Sequence, residues 1–289
     1  MPTFDTPEPI SVTLDVGVGD IQVAASDRTN TVVDVRPSDP AKKSDVTYAE
    51  QTRVEFAGGR LLIKTPKWKW SFRSGGESID VRIELPAGSQ VSGETGVASL
   101  HSTGRIGGCR FKTGVGDIQL DQAGPLELKA GAGDITVGEA VGDAEVSTAG
   151  AVGIGSVVGA AVVRSTNGDT WIGDVTGDVR VKAANGWITI DRARAAATVK
   201  TANGDLRLGE VARGAVVAES GNGKIDVGIR DGVAAWLDLK TAFGNVHNDL
   251  EASDRPASDE EAVDVRARTA YGDITIRRCQ PNDDGRDEA

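Results

Sequence analysis

Apolar and polar residues alternate with a period of two in short runs along most of this chain, and the runs come in pairs. Leu126-Glu127-Leu128-Lys129 is followed by Ile135-Thr136-Val137, Val179-Arg180-Val181-Lys182 by Ile188-Thr189-Ile190, and Ala197-Thr198-Val199-Lys200 by Leu206-Arg207-Leu208. That alternation marks strands with one buried face. Between the paired runs stands a phrase of small residues, written Thr113-Gly114-Val115-Gly116-Asp117-Ile118 in one copy and Thr201-Ala202-Asn203-Gly204-Asp205-Leu206 in another. With its second small residue as a marker, the copies fall at Gly116, Gly133, Ala151, Gly168, Gly186, Gly204, Gly223, Gly244 and Gly272, in steps of 17, 18, 17, 18, 18, 19, 21 and 28 residues.

A step near 18 residues is too short for helical or propeller repeats, which need roughly 30 to 50. It fits one coil of a parallel β-solenoid (β-helix), and the expected fold is all-β. Coils stacked at about 4.8 Å hydrogen-bond to their neighbours and leave open edges only at the ends. The natural expectation is that they stack in sequence order. Small residues two places before the marker (Gly114, Gly131, Ala184, Ala202) are expected to form a tight corner.

The first 90 residues are of mixed character. An early copy of the phrase, Gly17-Val18-Gly19-Asp20-Ile21, precedes the regular series by almost a hundred residues. Residues 46–64 read as a β-hairpin turning at Ala57-Gly58-Gly59, and 78–85 as an alternating strand ended by Pro86-Ala87-Gly88. The organisation expected is an N-terminal β region and cap over 1–90, carrying an aromatic and basic loop at 65–76. Solenoid repeats follow over 91–279 with an acidic loop at 249–262, then a disordered tail over 280–289.

The Gly-Asp-Ile phrase at this spacing, the Leu85-Pro86-Ala87-Gly88 punctuation and the early Gly17 copy resemble the bacterial putative-adhesin β-strand-repeat family, of unknown function. The wording looks most like its cytosolic actinobacterial members. The resemblance covers about residues 10 to 278, implies a β-solenoid and supplies no catalytic residues.

Composition narrows the classes further. With 37 Gly and 4% aromatic residues, the core is expected to be thin and aliphatic. A net charge of -11 argues against a nucleic-acid partner, because phosphate contacts need a basic surface. No apolar stretch is long enough to span a bilayer, and the first residues show neither a basic nor an apolar run, so the expected location is cytoplasmic. Cys109 and Cys279 are far apart and form no CxxC, as suits free thiols in a reducing compartment.

Stacking turns each repeat position into a stripe. Four residues before the marker stand Lys112, Lys129, Arg164, Lys182, Lys200, Lys240 and Arg268, a candidate anion-binding ladder interrupted by Ser147 and Glu219. One residue after it stand Asp117, Asp134, Asp169, Asp205 and Asp273, interrupted by Trp187 among others, and the two stripes are placed to pair across the corner. Asn167, Asn185, Asn203 and Asn222 form a third ladder. The bland reading of all three is a solvated, self-satisfying face. His101 and His247 are isolated, the glycines lack a dinucleotide or phosphate-loop pattern, and the aspartates recur because the corner recurs. No cofactor, metal or catalysis is expected. The strongest irregularity is Lys67, Trp68, Lys69, Trp70, Phe72 and Arg73, either a cap over the end of the solenoid or a contact for a partner protein or an anionic membrane surface. The sequence therefore reads as a non-catalytic scaffold or interaction module, self-association included; polysaccharide or anionic-polymer binding is the alternative.

Overall fold

The computed structural model describes residues 1–66, 76–250 and 262–279, with 25 strands and one helix among them. Equivalent strands of different copies pair in parallel and in register, as Leu126 beside Cys109, Val179 beside Ala197 and Ile188 beside Leu206. This is the parallel β-solenoid that the period predicts. Each coil is named below for its marker residue. A coil has a strand before the marker, a corner at the marker and a strand after it.

The corner follows from two requirements at the marker. Gly186 and Gly204 have φ of 118° and 143°, a region closed to L side chains. In addition, a methyl on Gly204 would overlap the carbonyl oxygen of Gly186, and one on Gly186 that of Gly168. Conformation and stacking thus select the same residue. On either side of the corner, the inward positions are fully buried: Val179, Val181, Ile188 and Ile190 are 0% exposed. A third inward position, seven after the marker, is occupied by Ala123, Ala140, Val175, Ala193 and Val211, all buried. Strict alternation misses it, because two successive outward residues, such as Asp191 and Arg192, bend the strand before it.

The chain divides into two compact units, Met1–Ala151 and Val152–Ala289. In the first, the early copy is itself a coil: Ser11–Ser26 lies parallel to Gln90–Ile106, Gly19 beside Ala98. On its other side Ser11–Asp15 pairs with Arg60–Lys64, and Gly19–Ser26 pairs with Ile79–Pro86. Antiparallel strands close this edge, Arg53–Ala57 on Arg60–Lys64, Asn30–Pro37 on Ile79–Pro86, and Thr3–Asp5 on Asn30–Pro37. The hairpin turn at Gly58 and Gly59 stands where the sequence places it, but residues 46–51 do not extend the hairpin. They belong to the helix Lys43–Gln51, which buries Tyr48 and Asp45. Asp45 faces Lys42 at 3.0 Å.

In the second unit the Gly168, Gly186, Gly204 and Gly223 coils follow one another in register. Sequence order then fails. Gly214–Asn222 pairs with Ala262–Tyr271, and that strand pairs with Ala234–Phe243. Likewise Ile225–Arg230 pairs with Ile274–Cys279, which pairs with Val246–Asn248. The Gly272 coil, last in sequence, therefore lies between the Gly223 and Gly244 coils. Apolar content explains the exchange. The Gly272 coil buries Val263, Val265, Ala267, Ile274 and Ile276 at 0% exposure. At the same positions the Gly244 coil offers Ala235, Leu237, Leu239 and Val246, with Asn248 in place of Ile276, and burying each further large aliphatic side chain contributes about 1.5–3 kcal/mol. The better-furnished coil takes the slot with neighbours on both sides. The acidic loop over 249–262 and the tail over 280–289 lie almost entirely outside the described residues.

Candidate functional site

Each corner aspartate accepts a hydrogen bond from the backbone N–H at the same position of the neighbouring coil. Asp134 N donates to Asp117 Oδ1 at 2.8 Å, Trp187 N to Asp169 Oδ1 at 2.8 Å, Lys224 N to Asp205 Oδ1 at 2.7 Å and Asn245 N to Asp273 Oδ1 at 2.8 Å. The pairing of these aspartates with the basic stripe, expected from their neighbouring positions, is replaced by this backbone staircase: the corner leaves an N–H facing outward, and a side chain one coil away is the nearest acceptor. A second staircase, not read from the sequence, lies three residues before the marker. There Thr269 and Ser220 donate through Oγ to the carbonyls of Gly223 and Gly204, both at 3.0 Å. Its signal was present, as Thr or Ser at 113, 148, 165, 201, 220, 241 and 269.

The asparagines form the predicted ladder. Asn185 Nδ2 donates to Asn167 Oδ1 at 2.9 Å and Asn203 Nδ2 to Asn185 Oδ1 at 3.0 Å. Beyond Asn222 the same position holds Tyr271 and then Phe243, whose rings stack at 4.9 Å and 8°.

The structure brings the basic residues together in part. Arg164, Lys182 and Lys200 stand side by side on adjacent strands. Glu219 then follows, 2.7 Å from Lys200, and beyond it Arg268 and Lys240. Arg268 and Arg266 each approach Asp238 Oδ2 at 3.2 Å. In the first unit Lys112 lies 2.9 Å from Glu94 and Lys129 2.6 Å from Glu127. The Lys129 ammonium, with Arg110 beside it, holds the Glu127 carboxyl below its usual range. Such exposed pairs contribute about 0–1 kcal/mol each.

Lys67, Trp68, Lys69, Trp70, Phe72 and Arg73 lie outside the described residues. Sequence reasoning that settled on this loop passed over other aromatics. Trp171 is 45% exposed, Trp187 64% and Trp236 57%. Trp187 replaces aspartate in the corner stripe, and Trp171 donates through Nε1 to Asp191 at 3.0 Å. Among the described residues no group of three or more His, Cys, Asp or Glu is placed to hold a metal ion. His101 has Asp20 at 3.7 Å. No described helix is long and apolar enough to cross a membrane.

The sequence profile of the Toastrack DUF4097 family matches residues 10–287. Solved structures similar to the chain include a putative adhesin from Parabacteroides merdae, at 11% identity and TM-score 0.31 over 96% of this chain and 95% of that one. A putative adhesin from Bacteroides fragilis aligns at 13% identity and TM-score 0.30 over 96% and 95%. A putative lipid binding protein from Parabacteroides distasonis aligns at 10% identity and TM-score 0.24 over 96% of each chain. No functionally curated protein matches.

Proposed function

The chain belongs to the Toastrack DUF4097 family, and on that premise we propose that it is a non-catalytic β-solenoid that acts in the cytoplasm as a scaffold and interaction module. One observation carries the reading: the carboxylates, hydroxyls and amides that recur at the corners are engaged by the stack itself. The corner carboxylates cap backbone N–H groups, the hydroxyls bond marker carbonyls and the amides bond one another. A carboxylate held in that way is committed to structure, whereas acid–base work needs two carboxylates free to face a substrate. Outside these corner bonds stand exposed aromatics, the stacked Phe243 and Tyr271 among them, and the edge of the end coil, features suited to contact with another macromolecule. The free thiols Cys109 and Cys279 fit a reducing compartment. Burial pushes the Cys109 thiol up to about 12, so it serves as a packing residue.

The runner-up reading is binding of an anionic polymer or polysaccharide, supported by Arg164, Lys182 and Lys200 in register and by exposed Trp171 and Trp187. Incubation with soluble polysaccharides, followed by assay of reducing ends, separates binding from turnover. No release is expected, and release that Asp205→Asn abolishes would overturn the proposal. Covalent crosslinking in an extract of the source cells is expected to give discrete adducts that a heat-denatured chain does not give.

A further inference from the structure

We infer that the outer edge of the Gly244 coil is a self-pairing surface, joining two copies of this chain through antiparallel alignment of Ala234–Phe243 with its own counterpart. This deepens the interaction-module reading and rests on it. Within its unit, Ala234–Phe243 pairs on one side with Ala262–Tyr271, and no described strand lies on the other. Alternate residues along this ten-residue strand thus present their backbone donors and acceptors at an open edge. Leu237 and Leu239 are only half-buried, while Val265 and Ala267, their partners one coil inward, are 0% exposed. Val246 on the second strand of the same coil is 45% exposed.

The sequence of the edge selects both occupant and register. Positions 237, 239 and 241 lie beside the inward residues Val265, Ala267 and Thr269, and 236, 238 and 240 point outward. A two-fold pairing that keeps each set on its own face must centre on one of the central residues. Centred on Asp238 it sets that carboxylate against its own copy, and centred on Lys240 it sets ammonium against ammonium. Centred on Leu239 it places Asp238 opposite the partner's Lys240 twice, Leu237 opposite the partner's Thr241, and Trp236 opposite the partner's Ala242. Opposite charges directly across a strand pair stabilise it and like charges destabilise it, and a two-fold interface is self-complementary in this way. The chain's own stretch 251–261 is a poor cover for an apolar edge, since its only apolar side chains are alanines and a proline among five acidic residues.

Gel filtration with light scattering on the full chain tests the inference. With rising concentration the mass should climb from 30.0 kDa towards twice that value. Lys240→Asp alone and Asp238→Lys alone should each stay at one copy, and their equimolar mixture should regain the two-copy mass, because every opposed pair is then of unlike charge. Circular dichroism melts verify that both variants fold. If Asp238→Lys does not, Leu239→Lys, which sets two lysines on the two-fold axis, should stay at one copy. A wild-type chain that remains single at every concentration overturns the inference, as does a two-copy mass that survives Lys240→Asp and Leu239→Lys. Deletion of 251–261 that converts a single chain to a pair would show the native edge to be covered by the chain itself, and also overturns it. The wider reading fails separately: a single chain that still forms adducts with another protein loses only the self-pairing, whereas polysaccharide turnover removes the module reading.

Discussion

At Gly204 the backbone conformation and the coil beneath it act on the same atom, and their effects add. Gly204→Ala should destabilise the protein by about 2 kcal/mol or more, since a strained φ alone costs about 1–3 kcal/mol and the carbonyl of Gly186 must also give way. Urea denaturation of the purified variant measures this, and a loss near zero would mean that the corner is built differently. The recurrence of the marker was plain in the sequence; its reason was not, because Gly, Ala and Asn occupy the neighbouring small positions and only the dihedral and the stacking separate them. The aspartate stripe was similarly visible while its role was not. A side chain that bonds a backbone N–H one coil away leaves no local pattern, whereas a lysine four residues before the marker always looks available to an anion.

At the scale of the element, the alternating runs located nearly every strand, since a half-buried strand must show period two. They left the order of the last two coils unspecified. Both carry the marker and the corner, so either is compatible with the Gly223 coil, and the apolar inventory of the whole coil decides between them. Paired cysteines make the order measurable. Glu219→Cys with Arg268→Cys should crosslink under mild oxidation, because these residues are register partners and facing strand positions fall within disulfide reach. Glu219→Cys with Lys240→Cys should not, and peptide mapping that found the second bond in place of the first would restore sequence order. The helix Lys43–Gln51 escaped because its nine residues bury only two side chains, too few to set up a helical periodicity.

Taken as a whole molecule, the chain relies on a thin aliphatic interior, as its composition implied, and on carboxylates held by cations at the surface. Arg28 holds the Glu84 carboxyl below its usual range against the opposing effect of burial, and Arg194 does the same for Asp174. Depressed native values mean that the unfolded chain takes up protons first as pH falls. The stability these groups supply is therefore full above the ordinary carboxylate range of about 4 and is lost as pH drops through their own lower values. Thermal melts in acid should show that decline, and Glu84→Gln should make it shallower. The inserted Gly272 coil bears on how the protein is made. A ribosome delivers 234–248 before 262–279, so the strand destined for the outside emerges while the inner slot beside the Gly223 coil is vacant and equally able to receive it. The stack cannot grow by simple addition in the order of translation. The Gly272 coil must settle on the Gly223 coil before 234–248, made earlier, can take its own place outside it, so the second unit is completed only after residue 279 has been made.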